Sequence, residues 1–406
     1  MPPLQTRSIW VALDTAGCPN RCRHCWLGVS PNRRMCEDDI RRVVELFRGW
    51  VKLGEQNPFF ERVNALTWYR EPDYHPNYRE MHTLEEEING EPPRRFDLLS
   101  IWRLAHDPTY ASWARKVGTE ACQISFFGTQ KTNDWFFRRS GAFQDSIVAT
   151  DRLLEAGIRP RWQLFFTSLI VPELPELLEL VGRMRLRERT EAIGGEFDLF
   201  LRTPTPDGEA WNIEDLRPTA KDLVQVPSEL RESSEHYLGG PIGEAEGAII
   251  SRVLDDDPVF PSAYELPEEL CFYVTSSFDV FSNIGELAPW WKLGNLEQDD
   301  ISRIIDVLEN NRVLGLHANY NISAAELAWH YGRRDGEHIY DPGDLPIRWV
   351  RMWCQSTFPQ RRVEELDSAL PDGGTMLECW PAHRSPRPRA TIGGKLRSKP
   401  PQSNRH

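Results

Sequence analysis

Residues 18–26 read Cys18-Pro-Asn-Arg-Cys22-Arg-His-Cys25-Trp26, and they follow closely on the apolar run SIWVALD at 8–14. The run predicts a short buried strand. The cysteines are spaced C-x3-C-x2-C, so one loop after that strand carries three thiols that can turn toward a single point. A helix is predicted next, at 37–52. Glu37, Asp38 and Asp39 suit its N-terminus, and Ile40, Val43, Val44, Phe47 and Val51 recur at helical spacing. The same strand–loop–helix unit repeats outward from this point. Strands are expected at 63–68, 96–101, 121–127, 161–167 and 196–201, and helices near 76–88, 108–117, 141–156 and 173–187. Gly157 closes the 141–156 helix as its C′ residue. Six such units imply a parallel sheet with right-handed crossovers. A closed eight-stranded barrel needs ~250 residues. The expected fold is therefore α/β, a partial (β/α)6 TIM-type barrel with a smaller α+β C-terminal region.

The barrel core is expected over 1–202. Residues 203–262 are rich in Pro, Glu and Asp and read as a linker with one helix near 242–255. Residues 263–380 form a C-terminal capping region with a hairpin at 271–284 and a helix at 297–311. The basic, Pro-, Ser- and Gly-rich stretch 381–406 reads as a disordered tail. No internal repeat is visible.

Composition excludes several classes. The formal net charge is -13, which disfavours a phosphate-backbone partner, so no nucleic-acid binding is expected. No apolar run reaches the ~18 residues of a membrane span, so no membrane partner is expected either. Met1 to Arg7 lacks the apolar stretch of a secretory signal. The expected compartment is the cytoplasm, where thiols stay reduced. Eight cysteines in 406 residues are too sparse for a disulfide scaffold. Three of them crowd into one loop, whereas Cys36, Cys122, Cys271, Cys354 and Cys379 are scattered. Structural zinc usually uses four ligands from paired knuckles. A [4Fe–4S] cluster also usually takes four cysteines, and three would leave one iron open to a chelating substrate. A zinc-stabilised binding or scaffold protein without catalysis is the alternative reading of the same loop.

The C-x3-C-x2-C loop at the end of a first barrel strand resembles the signature of the radical S-adenosylmethionine (radical SAM) superfamily. The resemblance implies that Cys18, Cys22 and Cys25 hold a [4Fe–4S] cluster whose fourth iron binds the amino and carboxylate groups of S-adenosylmethionine. It implies an enzyme in which reductive cleavage yields a 5′-deoxyadenosyl radical that abstracts hydrogen from a small-metabolite or peptide substrate. An electron donor such as flavodoxin or ferredoxin is implied as partner. His24 occupies a position that is often aromatic in the family, and Trp26 is expected either to shield the cluster or to pack in the barrel core. The family's Gly-Gly-Glu-Pro motif corresponds to Tyr69-Arg70-Glu71-Pro72. Glu71 and Pro72 match, where the family holds the SAM amino group, and both glycines are replaced.

Gln123 and Ser125 resemble the small polar pair of the family's fourth strand. They alternate with apolar residues and so share one face. Arg161 and Gln163 alternate in the same way on the next strand. A buried Arg needs an anion, and a SAM carboxylate would serve. Arg138 and Arg139 read as carboxylate binders or as solvated charges. The stretches Phe278-Asp279-Val280-Phe281 and Leu293-Gly294-Asn295-Leu296 resemble the SPASM or twitch extension of radical SAM peptide maturases. Ser282-Asn283 stands where that extension has a cluster cysteine, so a second cluster is not expected. Some radical SAM epimerases return hydrogen from a thiol, which makes Cys271, Cys354 and Cys379 hydrogen-donor candidates.

Overall fold

The computed structural model describes residues 4–28, 32–67, 70–93, 97–256, 270–282 and 285–368. Ten strands are present among them. They are β1 (Ser8–Leu13), β2 (Arg62–Leu66), β3 (Ala121–Phe126), β4 (Arg159–Phe165), β5 (Asp198–Arg202), β6 (Glu244–Ala245), β7 (Leu270–Val274), β8 (Asp279–Phe281), β9 (Lys292–Asn295) and β10 (Ile339–Tyr340). β1 pairs in parallel with β2 on one side and with β7 on the other. β3, β4 and β5 form a second parallel sheet. Helices connect the parallel strands, as short loops and right-handed crossovers require. The architecture is α/β, a partial barrel of parallel strands. The hairpin β7–β8, its antiparallel neighbour β9 and the helices after residue 300 make up the smaller α+β part.

Alternation along each strand sorts the side chains. Ile9, Val11 and Leu13 pack outward with Ile40, Val44 and Phe47 of the helix Glu37–Arg48. Ile124, Phe126, Trp162 and Leu164 pack with Leu153 and Leu154 of the helix Ala142–Glu155. The other face of the first sheet turns Ala12, Leu66 and Tyr273 toward one another. The rows Gln123–Arg161–Asp198 and Ser125–Gln163–Phe200 run side by side across β3, β4 and β5.

Three expectations are corrected. The 96–101 stretch is not a strand. Asp97 has φ 55, a left-handed conformation that interrupts extended backbone. Ser100 then caps the helix Ile101–His106 by accepting from the Arg103 amide at 3.1 Å. A bond from the Gln123 amide to the Asp97 carbonyl, 2.9 Å, ties this stretch to β3. Five parallel strands therefore lie within 1–202, and the sixth parallel partner, β7, comes from beyond residue 263. The first helix stops at Arg48, with Gly49 as C-cap, and leaves Val51 exposed. The predicted 173–187 helix is two helices, Leu174–Arg183 and Leu186–Ala192, broken at Arg185 with φ 50. No helix among the described residues is long and apolar enough to cross a membrane. Residues 381–406 lie outside the described residues.

A buried charge cluster joins the loop after β5 to the later elements. Arg351, on the helix Leu345–Ser368, pairs with both Asp207 and Glu286. Trp290 Nε1 donates to Glu286 at 3.1 Å. Burial, and then the neighbouring Asp207, push the Glu286 carboxyl up to about 8. A carboxyl raised in this way contributes stability fully below its unfolded pKa and loses it as pH rises through about 8. Glu286→Gln is therefore expected to flatten the decline of melting temperature between pH 5 and pH 9. Identical pH profiles for the two proteins would count against the cluster's role.

Candidate active site

The loop that follows β1 opens onto a cavity of about 210 Å³, and Cys18, Cys22 and Cys25 all line it. Its opposite walls come from Arg70, Glu71 and Pro72 after β2, from Leu98 and Leu99, and from Gln123 and Ser125 of β3. The cysteine loop is pinned along its length. The amides of Arg21 and Arg23 donate to the carbonyls of Phe137 and Phe136 at 3.4 and 2.8 Å. The Arg23 guanidinium stacks on Trp135 at 4.1 Å. Arg139 Nε holds Asn20 Oδ1 at 2.7 Å. The Cys25 carbonyl accepts from the amides of Gly28 and Glu209, at 3.1 and 2.8 Å.

Each of the three cysteines is half-buried. Crowding by protein atoms pushes all three thiols up. For Cys18 the Glu71 carboxylate and Cys22 add to this, and for Cys22 the additions come from Cys25 and Glu71. As bare groups they are protonated thiols, whereas a bound metal holds such ligands as thiolates. Among the described residues, no three His, Cys, Asp or Glu side chains are gathered closely enough to hold a metal ion as they stand. The donor chemistry nevertheless fits an iron–sulfur centre, because three soft sulfur ligands share one cavity wall.

Glu71 sits at the same wall. Its Oε1 accepts from Ser100 Oγ at 2.7 Å, and its Oε2 lies 3.6 Å from Cys18 Sγ. Burial pushes this carboxyl up to about 7. A cationic ligand group would hold it ionised by a charge-assisted hydrogen bond. His24 packs its ring against Phe127 and Phe165, at 4.1 and 4.8 Å. Burial lowers its pKa to about 3, so the neutral ring takes an aromatic's place in the packing. Trp26 is 42% exposed. It lines the cavity from its rim and does not pack in the barrel core.

The remaining residues singled out from the sequence are distributed differently. Gln123 and Ser125 reach the cavity with the cysteines. Arg161 and Gln163 lie one strand further, and neither is on that cavity's wall. Arg161 pairs with Asp97 at 3.2 Å, so a protein carboxylate supplies its anion. Arg138 pairs with Glu209, and Arg139 with Asp145. Both are engaged by protein carboxylates, and neither is a simply solvated charge. Cys271 lies on β7 beside the Ala12–Tyr273 cluster, and Cys354 is buried in the C-terminal helical core. Burial pushes both thiols up to about 12, and neither lines the cysteine cavity. Cys379 lies outside the described residues, as do Tyr69 and Asn283.

Arg70 was not apparent from the sequence. It has φ 80, a conformation that strains a non-glycine residue by roughly 1–3 kcal/mol. Its side chain is 4% exposed and pairs with Asp14, itself 1% exposed, at 2.8 Å. The only sequence signal is its place immediately before Glu71-Pro72, where the resemblance expects glycine.

No protein-family model matches the sequence, and no curated protein matches it. Among solved structures the chain is similar to native anSMEcpe with bound AdoMet, at 11% identity over 89% of this chain and 100% of that one, with a TM-score of 0.45. It is also similar to Streptococcus suis SuiB bound to precursor peptide SuiA, at 14% identity over 77% of this chain and 67% of that one, with a TM-score of 0.42. A third is methylornithine synthase (PylB), at 16% identity over 50% of this chain and 55% of that one, with a TM-score of 0.27.

Proposed function

We propose that this chain is a radical SAM enzyme in which Cys18, Cys22 and Cys25 hold a [4Fe–4S] cluster. One observation carries the reading: three thiols of a single post-strand loop line one cavity together with the carboxylate of Glu71. When bound, the cluster would supply the electron that cleaves S-adenosylmethionine to methionine and a 5′-deoxyadenosyl radical, which abstracts hydrogen from a small-metabolite or peptide substrate. In this reading Glu71 would accept from the ammonium of S-adenosylmethionine, and the 2.7 Å bond from Ser100 Oγ to its Oε1 supports that role by orienting the carboxylate. Gln123 and Ser125 offer amide and hydroxyl groups on the same wall. Arg161 and Gln163, the other cofactor-binding candidates, lie one strand beyond this wall, with Arg161 held by Asp97. The cavity's location beyond the C-terminal end of β1 also supports the reading, because barrel active sites gather at that end. The electron would come from a carrier such as flavodoxin or ferredoxin.

Anaerobic reconstitution separates this reading from a zinc-stabilised scaffold. The protein is expected to take up about four irons per chain and to form 5′-deoxyadenosine from S-adenosylmethionine and dithionite. Uptake of zinc with no iron under those conditions would refute it.

A further inference from the structure

We infer that Arg70, with Asp14 and Tyr273, is a clasp that closes both ends of the cysteine loop and places a fixed positive charge beside its metal site. The second half of this inference rests on the function proposed above, and the first half stands on the protein alone.

At the loop's entrance, Asp14 Oδ1 accepts from the Gly17 amide, one residue before Cys18, at 3.0 Å. At its exit, Arg70 donates to the carbonyls of Gly28 and Leu27, at 2.6 and 3.4 Å. Arg70 Nε joins the two ends by its 2.8 Å bond to Asp14 Oδ2. Tyr273 completes the network. Its hydroxyl accepts from Arg70 at 3.0 Å and donates to Asp14 at 3.1 Å. The clasp thus draws on the end of β1, the loop after β2, the cysteine loop and β7, which lies about 200 residues further along the chain. A buried guanidinium needs such a set of partners. The left-handed backbone at Arg70 is retained because these contacts over-determine it.

Charge gives the clasp its second consequence. Arg70 lines the cavity with the three cysteines, and the Gly28 carbonyl it holds also lies 3.7 Å from Cys25 Sγ. Reduction potentials of iron–sulfur centres follow local net charge and hydrogen bonding. Asp14 balances this charge but does not line the cavity, so the cationic end of the pair is the one on the cysteines' wall, and a fixed positive end there favours the state that has gained an electron. Arg70 is therefore a positioning residue, and its charge raises the potential of the bound cluster.

Three variants of the full chain test this: Arg70→Gly, Arg70→Lys and Tyr273→Phe. Hydrogen exchange of the loop amides is read first, on protein without metal. Arg70→Gly relieves the backbone strain but removes the clasp, so loop exchange should quicken roughly tenfold or more, the factor set by losing a charge-assisted hydrogen bond. Tyr273→Phe should quicken it less, with the fold retained. Loop protection unchanged in both would overturn the clasp. The midpoint potential of the reconstituted cluster is read second, by titration with dithionite followed by electron paramagnetic resonance. Arg70→Gly should shift it to more negative values, and Arg70→Lys should return it toward wild type. Equal potentials in wild type and Arg70→Gly would overturn the electrostatic role while leaving the proposed function standing. A wild-type chain that takes up no iron would overturn both the function and this role, with the exchange data still deciding the clasp.

Discussion

Replacing Cys18, Cys22 and Cys25 together by alanine is expected to abolish iron uptake and to reduce 5′-deoxyadenosine formation to background. The wild type should hold about four irons per chain. The three thiols share the wall of one cavity, and among the described residues no group of His, Cys, Asp and Glu elsewhere offers an alternative set. The metal-free variant should unfold at nearly the same denaturant concentration as the metal-free wild type. The loop's hold comes chiefly from backbone bonds to Phe136, Phe137 and Glu209, from Arg139 to Asn20 and from the Asp14–Arg70 clasp, none of which uses a thiol, and the thiols add only contacts of 3.4 Å or longer. Reconstitution should raise the melting temperature of the wild type alone, because a ligand that binds only the native state adds its binding free energy to folding. Iron and sulfide analysis beside thermal melts reads both effects. A triple variant that keeps its iron would place the cluster elsewhere and end the proposal.

Gly208→Ala is expected to have the next largest effect, although it lies far in sequence from any cysteine. Gly208 has φ +55, and a Cβ there would come 2.4 Å from the Cys25 carbonyl oxygen and 2.5 Å from that of Trp26. Both obstacles are backbone, so no side-chain rotation relieves the collision. Either the cysteine loop or the 207–209 segment must move. With that movement go the Glu209 amide bond to Cys25 and the Arg351 bond to the Gly208 carbonyl. Left-handed strain and overpacking together amount to roughly 2–4 kcal/mol, measurable by urea unfolding, and iron occupancy should fall as well. Gly239→Ala is the control. Gly239 has φ +69 at the C-terminus of the helix Ser228–Leu238, with no atom within 4 Å of a Cβ. It carries the strain without the collision, so its iron content should equal that of wild type. Equal iron losses in the two variants would show that loop contact is not the cause.

Local patterns made the outline of the fold and the centre of the site legible in the sequence. Short apolar runs located β1 to β5 to within a few residues, since each buries apolar side chains against its own helices. The C-x3-C-x2-C spacing marked the loop, because neighbours in sequence on a short loop are also neighbours in space. The segment 96–101 misled because FDLLSI is apolar enough for a strand, whereas Asp97 turns left-handed and Ser100 starts a helix. Capping and backbone handedness outweighed apolar content there.

The contacts that complete the site join residues distant in sequence. The spacing of the cysteines, the outward faces of the strands and the positions of most helices follow from interactions within a dozen residues, and these the chain carries in its own order. The pairing of β7 with β1, the clasp of Asp14, Arg70 and Tyr273, and the close approach of Gly208 to Cys25 join positions tens to hundreds of residues apart. Such pairings leave no periodic trace, because a buried cation finds its anion, and a glycine its crowded neighbour, only after the sheets have closed around them.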